Sequence, residues 1–136
     1  MITTYFKNLV MNEVFNTSAA SATVLPTTCY LAWSTVIPPD DGVGTGFTEP
    51  TTITGYARVE MTGLTNAVNG MVSNGAILSY TESIADQGIA KAYGVYDALT
   101  GGNLLIFNAL TKSKTIEEGT TLSIKPTELK FTLEGM

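Results

Sequence analysis

The residue types that most often carry catalysis are scarce in this sequence. It contains no histidine and a single cysteine, Cys29. Without histidine, Ser–His and Cys–His nucleophile systems are excluded, and the commonest general base and metal ligand is missing. Cys29 stands among apolar residues of a predicted strand, where a cysteine is far more often a small buried side chain than a reactive thiol. One cysteine also cannot form an internal disulfide or a cysteine-based zinc site.

Carboxylates are the remaining candidates for chemistry. The chain has twelve Asp and Glu residues, and a pair of carboxylates can hydrolyse a glycosidic bond. Most of them fall at predicted turns and strand edges, where acids usually serve solubility and local backbone hydrogen bonds. Examples are Asp40, Asp41, Asp86, Asp97, Glu117 and Glu118. We therefore expect no catalytic residue among them, and a protein that is not an enzyme.

Two glycine-containing segments resemble binding loops only superficially. Asp40-Asp41-Gly42 lacks the spaced oxygen ligands and the closing glutamate of a calcium loop. Gly101-Gly102 has neither the GxGxxG nor the GxxxxGK context of a phosphate-binding loop, and it is typical of a tight turn. The sequence therefore predicts no metal site and no cofactor.

Charge composition argues against two classes of partner. The formal net charge is −5, with only seven basic residues. Among these, only Lys112 and Lys114 stand close together, whereas nucleic-acid binding and attraction to anionic membranes both need clustered cations. No segment approaches the roughly 18 apolar residues of a membrane span, and the N-terminus lacks the pattern of a secretory leader. We expect neither nucleic acid nor membrane as a partner.

The elements that hold these residues are predicted from apolar spacing. At 44% hydrophobic and 14% charged, the chain suits a single β domain over residues 1–136. An N-terminal segment, residues 1–16, is predicted to be helical. Within it Phe6, Leu9, Val10 and Val14 form one stripe of a 3.6-residue period, and Thr3 or Thr4 can cap the start. This helix either plugs one end of a sheet or docks on a neighbouring subunit.

The rest of the chain is typical of strands joined by turns. Apolar runs predict strands at 28–37, 56–61, 76–80, 90–97, 104–110, 122–124 and 129–133. From Ala92 to Leu133 the runs follow one another so closely that they predict a β-meander. Residues 38–55 are rich in Gly and Pro and predict a long exposed loop, which includes Phe47. We expect an antiparallel β-sandwich of seven to eight strands with a short N-terminal α-helix.

Arg58 is the one arginine of the chain, on the polar face of the predicted strand 56–61. A guanidinium forms bidentate pairs that lysine cannot form, so Arg58 can anchor a contact between subunits. It can equally be a simple surface residue.

Two motifs carry a resemblance to a known family. They are Gly55-Tyr56-Ala57-Arg58 and the block from Gly94 to Lys114, GVYDALTGGNLLIFNALTKSK. In these motifs and in its order of elements, the sequence resembles small virion proteins of tailed bacteriophages, variously described as tail fibre proteins or head (capsid) decoration proteins. The resemblance implies a small β-sandwich used in many copies on a particle, with no catalytic residues to carry over.

This resemblance gives two expectations of function for a protein made in the cytoplasm of the bacterial host, and the aromatic residues leave a third open. The first is a non-enzymatic capsid decoration protein that binds the major capsid protein as a homo-oligomer, since the chain is short and lacks a repetitive shaft. The second is a tail, tail-fibre or baseplate component that binds tail proteins. The third is a host-glycan-binding module, which needs an exposed aromatic platform at residues such as Tyr56 or Tyr80. The predicted assembly contacts are Phe6, Leu9, Val10, Val14, Phe47 and Arg58.

Overall fold

The computed structural model describes residues 1–15 and 25–132 of the chain. In these ranges it has helix α1 (Thr4–Phe15), strands β1 (Tyr30–Ser34), β2 (Val59–Glu60), β3 (Met71–Ser73), β4 (Leu78–Ser79), β5 (Gly88–Tyr96), β6 (Leu104–Ile116), β7 (Ser123–Ile124) and β8 (Lys130–Thr132), and a 3₁₀-helix (Thr52–Thr54). The predicted class, an antiparallel β-sandwich with an N-terminal helix, is confirmed. The predicted strand ending at Leu133 lies partly outside the described residues.

The larger layer is a four-stranded antiparallel sheet in the order β2-β1-β5-β6. Leu31 pairs with Val95 and Trp33 with Tyr93, which places these four side chains on the same face. The turn between β5 and β6 contains Gly101 and Gly102, both with positive φ, as the sequence predicts for a tight reversal. On the other side of β6, Ile2 forms an antiparallel bridge with Ile106, so the first residues of the chain extend the sheet.

The second layer is an irregular antiparallel ribbon formed by residues 71–83 and 120–132. β3 pairs with β8 and β4 pairs with β7. The Tyr80 N–H donates to the Leu122 carbonyl at 2.9 Å, and the Ser83 N–H to the Thr120 carbonyl at 3.0 Å. Asn74 lies at the interruption between the two pairs of strands.

Asn74 is fully buried and joins both halves of the ribbon. Its amide nitrogen donates to the Lys125 carbonyl at 2.8 Å, and its amide oxygen accepts from the Leu129 N–H at 3.0 Å. A buried amide is tolerated only when its polar atoms find partners, so this residue fixes the register of the ribbon where the regular ladder stops.

The predicted meander is wrong beyond its first hairpin. β5 and β6 are neighbours as expected, but β7 and β8 pair with β4 and β3 in the other layer. The turn after β6 hydrogen-bonds to the segment that precedes β5. Gly119 N–H donates to the Ser83 carbonyl, and Gln87 N–H donates to the Ile116 carbonyl, both at 2.8 Å. These bonds carry the chain across to the second layer.

An aromatic core lies between the two layers. Trp33 meets Tyr56 edge-on at 5.7 Å between ring centroids, and Tyr56 stacks on Tyr80 at 6.1 Å. Tyr93 of the sheet meets Phe131 of the ribbon at 6.3 Å. Such pairs add to the free energy of burying the rings, so they hold the layers in one relative position.

The loop 38–55 covers the outer face of the sheet. Its Thr48 accepts a hydrogen bond from the Thr35 N–H at 2.9 Å, and the Thr48 N–H donates to the Ser34 hydroxyl at 2.8 Å. Phe47 lies so close to Gly94 that a Cβ there would be 2.9 Å from its ring. The loop is largely exposed on its outside, but its middle is part of the packing. No helix within residues 1–15 and 25–132 is long and apolar enough to cross a membrane.

Candidate functional site

Helix α1 is fixed to the sheet at its first residues. The Thr3 hydroxyl donates to the Leu104 carbonyl at 2.8 Å and accepts from the Phe6 N–H at 3.3 Å. The Lys7 N–H donates to the Thr3 carbonyl at 3.0 Å. Thr3 is therefore the helix cap, one of the two residues the sequence indicates, and it anchors the helix to β6 at the same time.

The predicted stripe on α1 divides into a buried and an exposed part. Leu9 is 3% exposed against the sheet. Phe6 and Val10 are half-buried, and Val14 is exposed. On the side of Leu9, the helix covers the sheet as the first interpretation expects.

The opposite side of α1 presents an apolar surface. Met11, Val14 and Phe15 are 48%, 59% and 74% exposed, and their i, i+3, i+4 spacing puts them together. We call these three residues the outer patch. The sequence analysis named only Val14 as a contact, because a single stripe selects one face. Met11 and Phe15 can be identified from the sequence because they place apolar side chains on a second side of the predicted helix.

Arg58 is the centre of a polar cluster inside the protomer. Its Nε donates to Glu49 Oε1 at 2.9 Å, and its Nη2 donates to Glu49 Oε2 at 2.8 Å. Its Nη1 donates to the carbonyls of Ala98 and Gly101, each at 2.7 Å. The guanidinium carbon lies 3.6 Å from the centre of the Tyr96 ring. One side chain thus joins the loop 38–55, the turn between β5 and β6, and the sheet.

Burial shapes the electrostatics of this cluster. The Arg58 side chain is 7% exposed and the Glu49 side chain 22%. Burial disfavours the charged guanidinium, but the hydrogen bonds and charge of Glu49 outweigh it and raise the pKa of Arg58. Burial, together with neighbouring Tyr80 and Glu49, raises the pKa of Tyr56 well above its usual value. The Tyr56 hydroxyl therefore stays neutral and donates to Glu49 Oε1 at 2.7 Å.

The sequence did not reveal that Glu49 is the partner of Arg58. Neither interpretation of Arg58 as a subunit anchor or simple surface residue describes this internal ion pair. Phe47 also has an internal contact, with its ring 5.8 Å from that of Tyr96. The assembly contacts proposed for Arg58 and Phe47 stay predictions, with much of each side chain already engaged within the protomer.

The aromatic residues named for a glycan platform are buried. Tyr56 is 7% exposed and Tyr80 is 6% exposed. They form the core between the layers, so they cannot present the rings that stacking on a sugar requires.

Residues that could bind a metal ion do not cluster in the described part of the chain. There, no group of three or more His, Cys, Asp or Glu residues is placed to hold a metal ion. Burial, with a smaller effect of Asp97, raises the pKa of the half-buried Cys29 thiol.

A comparison with protein families identifies the family of this chain. Residues 1–132 match the family described as "Podophage GP4 fiber I protein gp80". The chain belongs to this family. The match to the gp80 fibre family covers α1, the Arg58 cluster and both layers of the sandwich. Among curated proteins, none matches the chain.

Membership in the gp80 fibre family identifies a virion-associated phage structural protein of the fibre type. Of the expected functions, the tail-fibre alternative agrees with this family better than capsid decoration does.

Proposed function

We propose that this protein is a non-enzymatic component of a phage fibre that acts by protein–protein contact through the outer patch of α1. The patch carries the proposal because Met11, Val14 and Phe15 leave large apolar side chains in water at the end of a helix that the sheet holds firmly. Burying each such side chain against a partner would stabilise a complex by roughly 1.5–3 kcal/mol. The partners are other fibre or tail proteins, or further copies of the chain.

The polar residues support a role in contact rather than catalysis. Arg58, Glu49 and Tyr56 bond to one another, and their hydrogen bonds serve to hold the loop 38–55 on the sheet. The chain has no histidine to act as a general base near neutral pH.

Localisation on the virion tests the fibre assignment directly. Cryo-EM of purified particles, with gold-labelled antibody against the protein, should place it on the tail fibres. Labelling of the head would refute this assignment and favour capsid decoration with the major capsid protein as partner.

Substitution of the outer patch tests the contact surface. The double variant Val14→Ser/Phe15→Ser should fold normally but reduce incorporation into particles by about tenfold or more, because lost apolar burial weakens the contact. Ile53→Ser is a matched control, since Ile53 is 78% exposed and lies outside α1. Point variants are preferable to removing α1 with its preceding residues, because Ile2 and Thr3 are part of the sheet. Full incorporation of the double variant would exclude the outer patch as the contact.

A further inference from the structure

A groove of about 380 Å³ opens beside the first turn of α1. Its walls come from three segments: the start of α1, the loop 42–47, and the end of β5 with the turn that follows it. We call it the Tyr5 groove. It lies at the N-terminal end of α1, whereas the outer patch lies toward the C-terminal end.

Aromatic rings line part of this groove. Tyr5 is 42% exposed, and Phe47 and Tyr96 are half-buried beside it. The rings of Phe47 and Tyr96 meet at an angle of 69°, with centroids 5.8 Å apart. The groove therefore offers flat apolar surfaces that remain in contact with water.

Hydrogen-bonding groups lie next to these rings. The Asn103 side chain is oriented by Asp97, which accepts from its amide nitrogen at 3.0 Å and from its backbone N–H at 2.7 Å. Thr4 and Tyr5, which both carry a hydroxyl group, belong to the same lining. Aromatic surface with a few fixed polar groups is the usual composition of a small-molecule site.

Glycine forms much of the remaining wall. Gly42, Gly44, Gly46 and Gly102 all line the groove, and all four have positive φ. Glycine adopts this conformation without strain, and the space that a Cβ would need is already filled by Thr4 at Gly42, by Leu104 at Gly44 and by Asp97 at Gly102. These glycines therefore allow the walls of the groove to pack closely together.

The lining of the groove carries no charged side chain. The nearby Asp41 turns toward its own loop, where its Oδ1 accepts from the N–H groups of Val43 at 2.9 Å and Gly44 at 2.8 Å. A charged ligand would find no counter-charge among the lining residues to offset its loss of hydration. The groove therefore suits a neutral, hydroxyl-rich ligand.

The groove is held open by contacts already described. Arg58 lies over the face of Tyr96 and binds Glu49 of the loop 38–55. Ser34 and Thr35 fix Thr48 of the same loop. A ligand therefore meets preformed walls, which lowers the entropy cost of binding.

We propose that the Tyr5 groove binds a neutral sugar unit of a glycan. The apolar C–H face of the pyranose ring packs on Tyr5 and Phe47, and its hydroxyls hydrogen-bond with Asn103 and Thr4. The site is separate from the outer patch, so this inference goes beyond the proposed fibre contact and does not rest on it.

A glycan array with neutral and acidic oligosaccharides tests the proposal, using the full-length purified protein. We expect binding to neutral glycans, and Tyr5→Ala should weaken it by about tenfold because a stacking surface is lost. Asn12→Ala is the matched control, at an exposed position of the same helix outside both the groove and the outer patch, and it should bind like the unchanged protein. Asn103→Ala should also weaken binding, with Thr100→Ala as its control in the same turn.

Three outcomes would overturn the proposal: no neutral glycan binds, only acidic glycans bind, or Tyr5→Ala binds as tightly as the unchanged protein. Thermal unfolding of each variant separates lost binding from lost folding. Incorporation of Tyr5→Ala into particles at normal levels, with binding lost, would show that the groove and the fibre contact are independent.

Discussion

Helix α1 and the loop 38–55 are the two segments that the sequence singles out for contacts between subunits, and they are built very differently. The loop is tied to the sheet by Thr48, Phe47 and Glu49. Helix α1 is fixed at Thr3 and buries one residue, Leu9, while its outer patch faces water. An irregular backbone with many internal bonds serves the protomer, whereas a regular helix with apolar residues left in water is suited to a partner.

The comparison shows that irregularity alone is a poor guide to function. The loop lacks strands because its backbone bonds to turns and side chains instead of to a ladder. Its value lies in covering the outer face of the sheet and in shaping the Tyr5 groove. The difference between the two segments can be tested by substitutions that separate stability from assembly.

The largest effect on stability is expected from the loop's ion pair. Arg58→Met should lower the free energy of unfolding by about 2–3 kcal/mol, because Glu49 and two carbonyls lose a buried, charged donor. Urea denaturation measures this. Lys91→Met, at an exposed position of β5, is the control and should change stability little. A loss below about 0.5 kcal/mol for Arg58→Met would mean that the ion pair does not hold the loop.

The two sides of α1 should respond unequally. Leu9→Ala should cost about 2 kcal/mol through lost burial, while Val14→Ala should stay within about 0.5 kcal/mol because Val14 is 59% exposed. The same denaturation experiment compares them. Equal losses for both variants would contradict the division of the helix into a packed side and an outward side.

One added methyl group at Gly94 should disturb the packing of the loop 38–55 on the sheet. In Gly94→Ala the new Cβ would lie 2.8 Å from the Leu104 Cδ1 atom and 2.9 Å from the Phe47 ring. We expect a loss of about 1–2 kcal/mol as these side chains shift. Gly101→Ala also adds a methyl group but meets no atom within 4 Å, although its positive φ brings a separate backbone strain. Unchanged stability of Gly94→Ala would show that Phe47 is not packed there.

The smallest effect concerns Asp41 and depends on pH. Hydrogen bonds from Thr45, Val43 and Gly44 lower the pKa of Asp41 from 3.8 to about 2. Because the folded pKa is the lower one, its stabilisation is fully present above 3.8 and is lost as the pH falls through about 2. The melting temperature of Asp41→Asn should therefore fall below that of the unchanged protein at about pH 5, and the gap should close near pH 2. A melting-temperature difference that stays constant between about pH 5 and pH 2 would contradict this role of the Asp41 carboxylate.

The sequence predicts the local elements well because they depend on nearby residues. The period of Phe6, Leu9 and Val10 identifies α1, and Gly101-Gly102 identifies the turn of the β5–β6 hairpin. The partners of β7 and β8 depend instead on bonds such as Gln87 to Ile116, which join residues distant in sequence. A regular succession of turns and strands cannot distinguish a meander from a chain that changes layer.

The candidate sites show the same limit. The 3.6-residue period of the helix is enough to predict Val14 as a contact residue. The pairing of Arg58 with Glu49 is not predictable in this way, because it requires the loop 38–55 to fold back over the sheet. Tyr56 and Tyr80 are equally aromatic in the sequence and equally buried in the fold. Tyr5 had no signal of its own, since its exposure follows from where α1 meets the turn after β5.

The anchoring of α1 to β6 affects the order in which the chain can fold during synthesis. Thr3 hydrogen-bonds to Leu104 and Leu105, about one hundred residues further along the chain. During synthesis the helix leaves the ribosome first, but β6 must follow before Thr3 has its acceptors. A growing or truncated chain thus has α1 without the support that orients it. The orientation of the outer patch in the folded protein therefore depends on completion of the sheet.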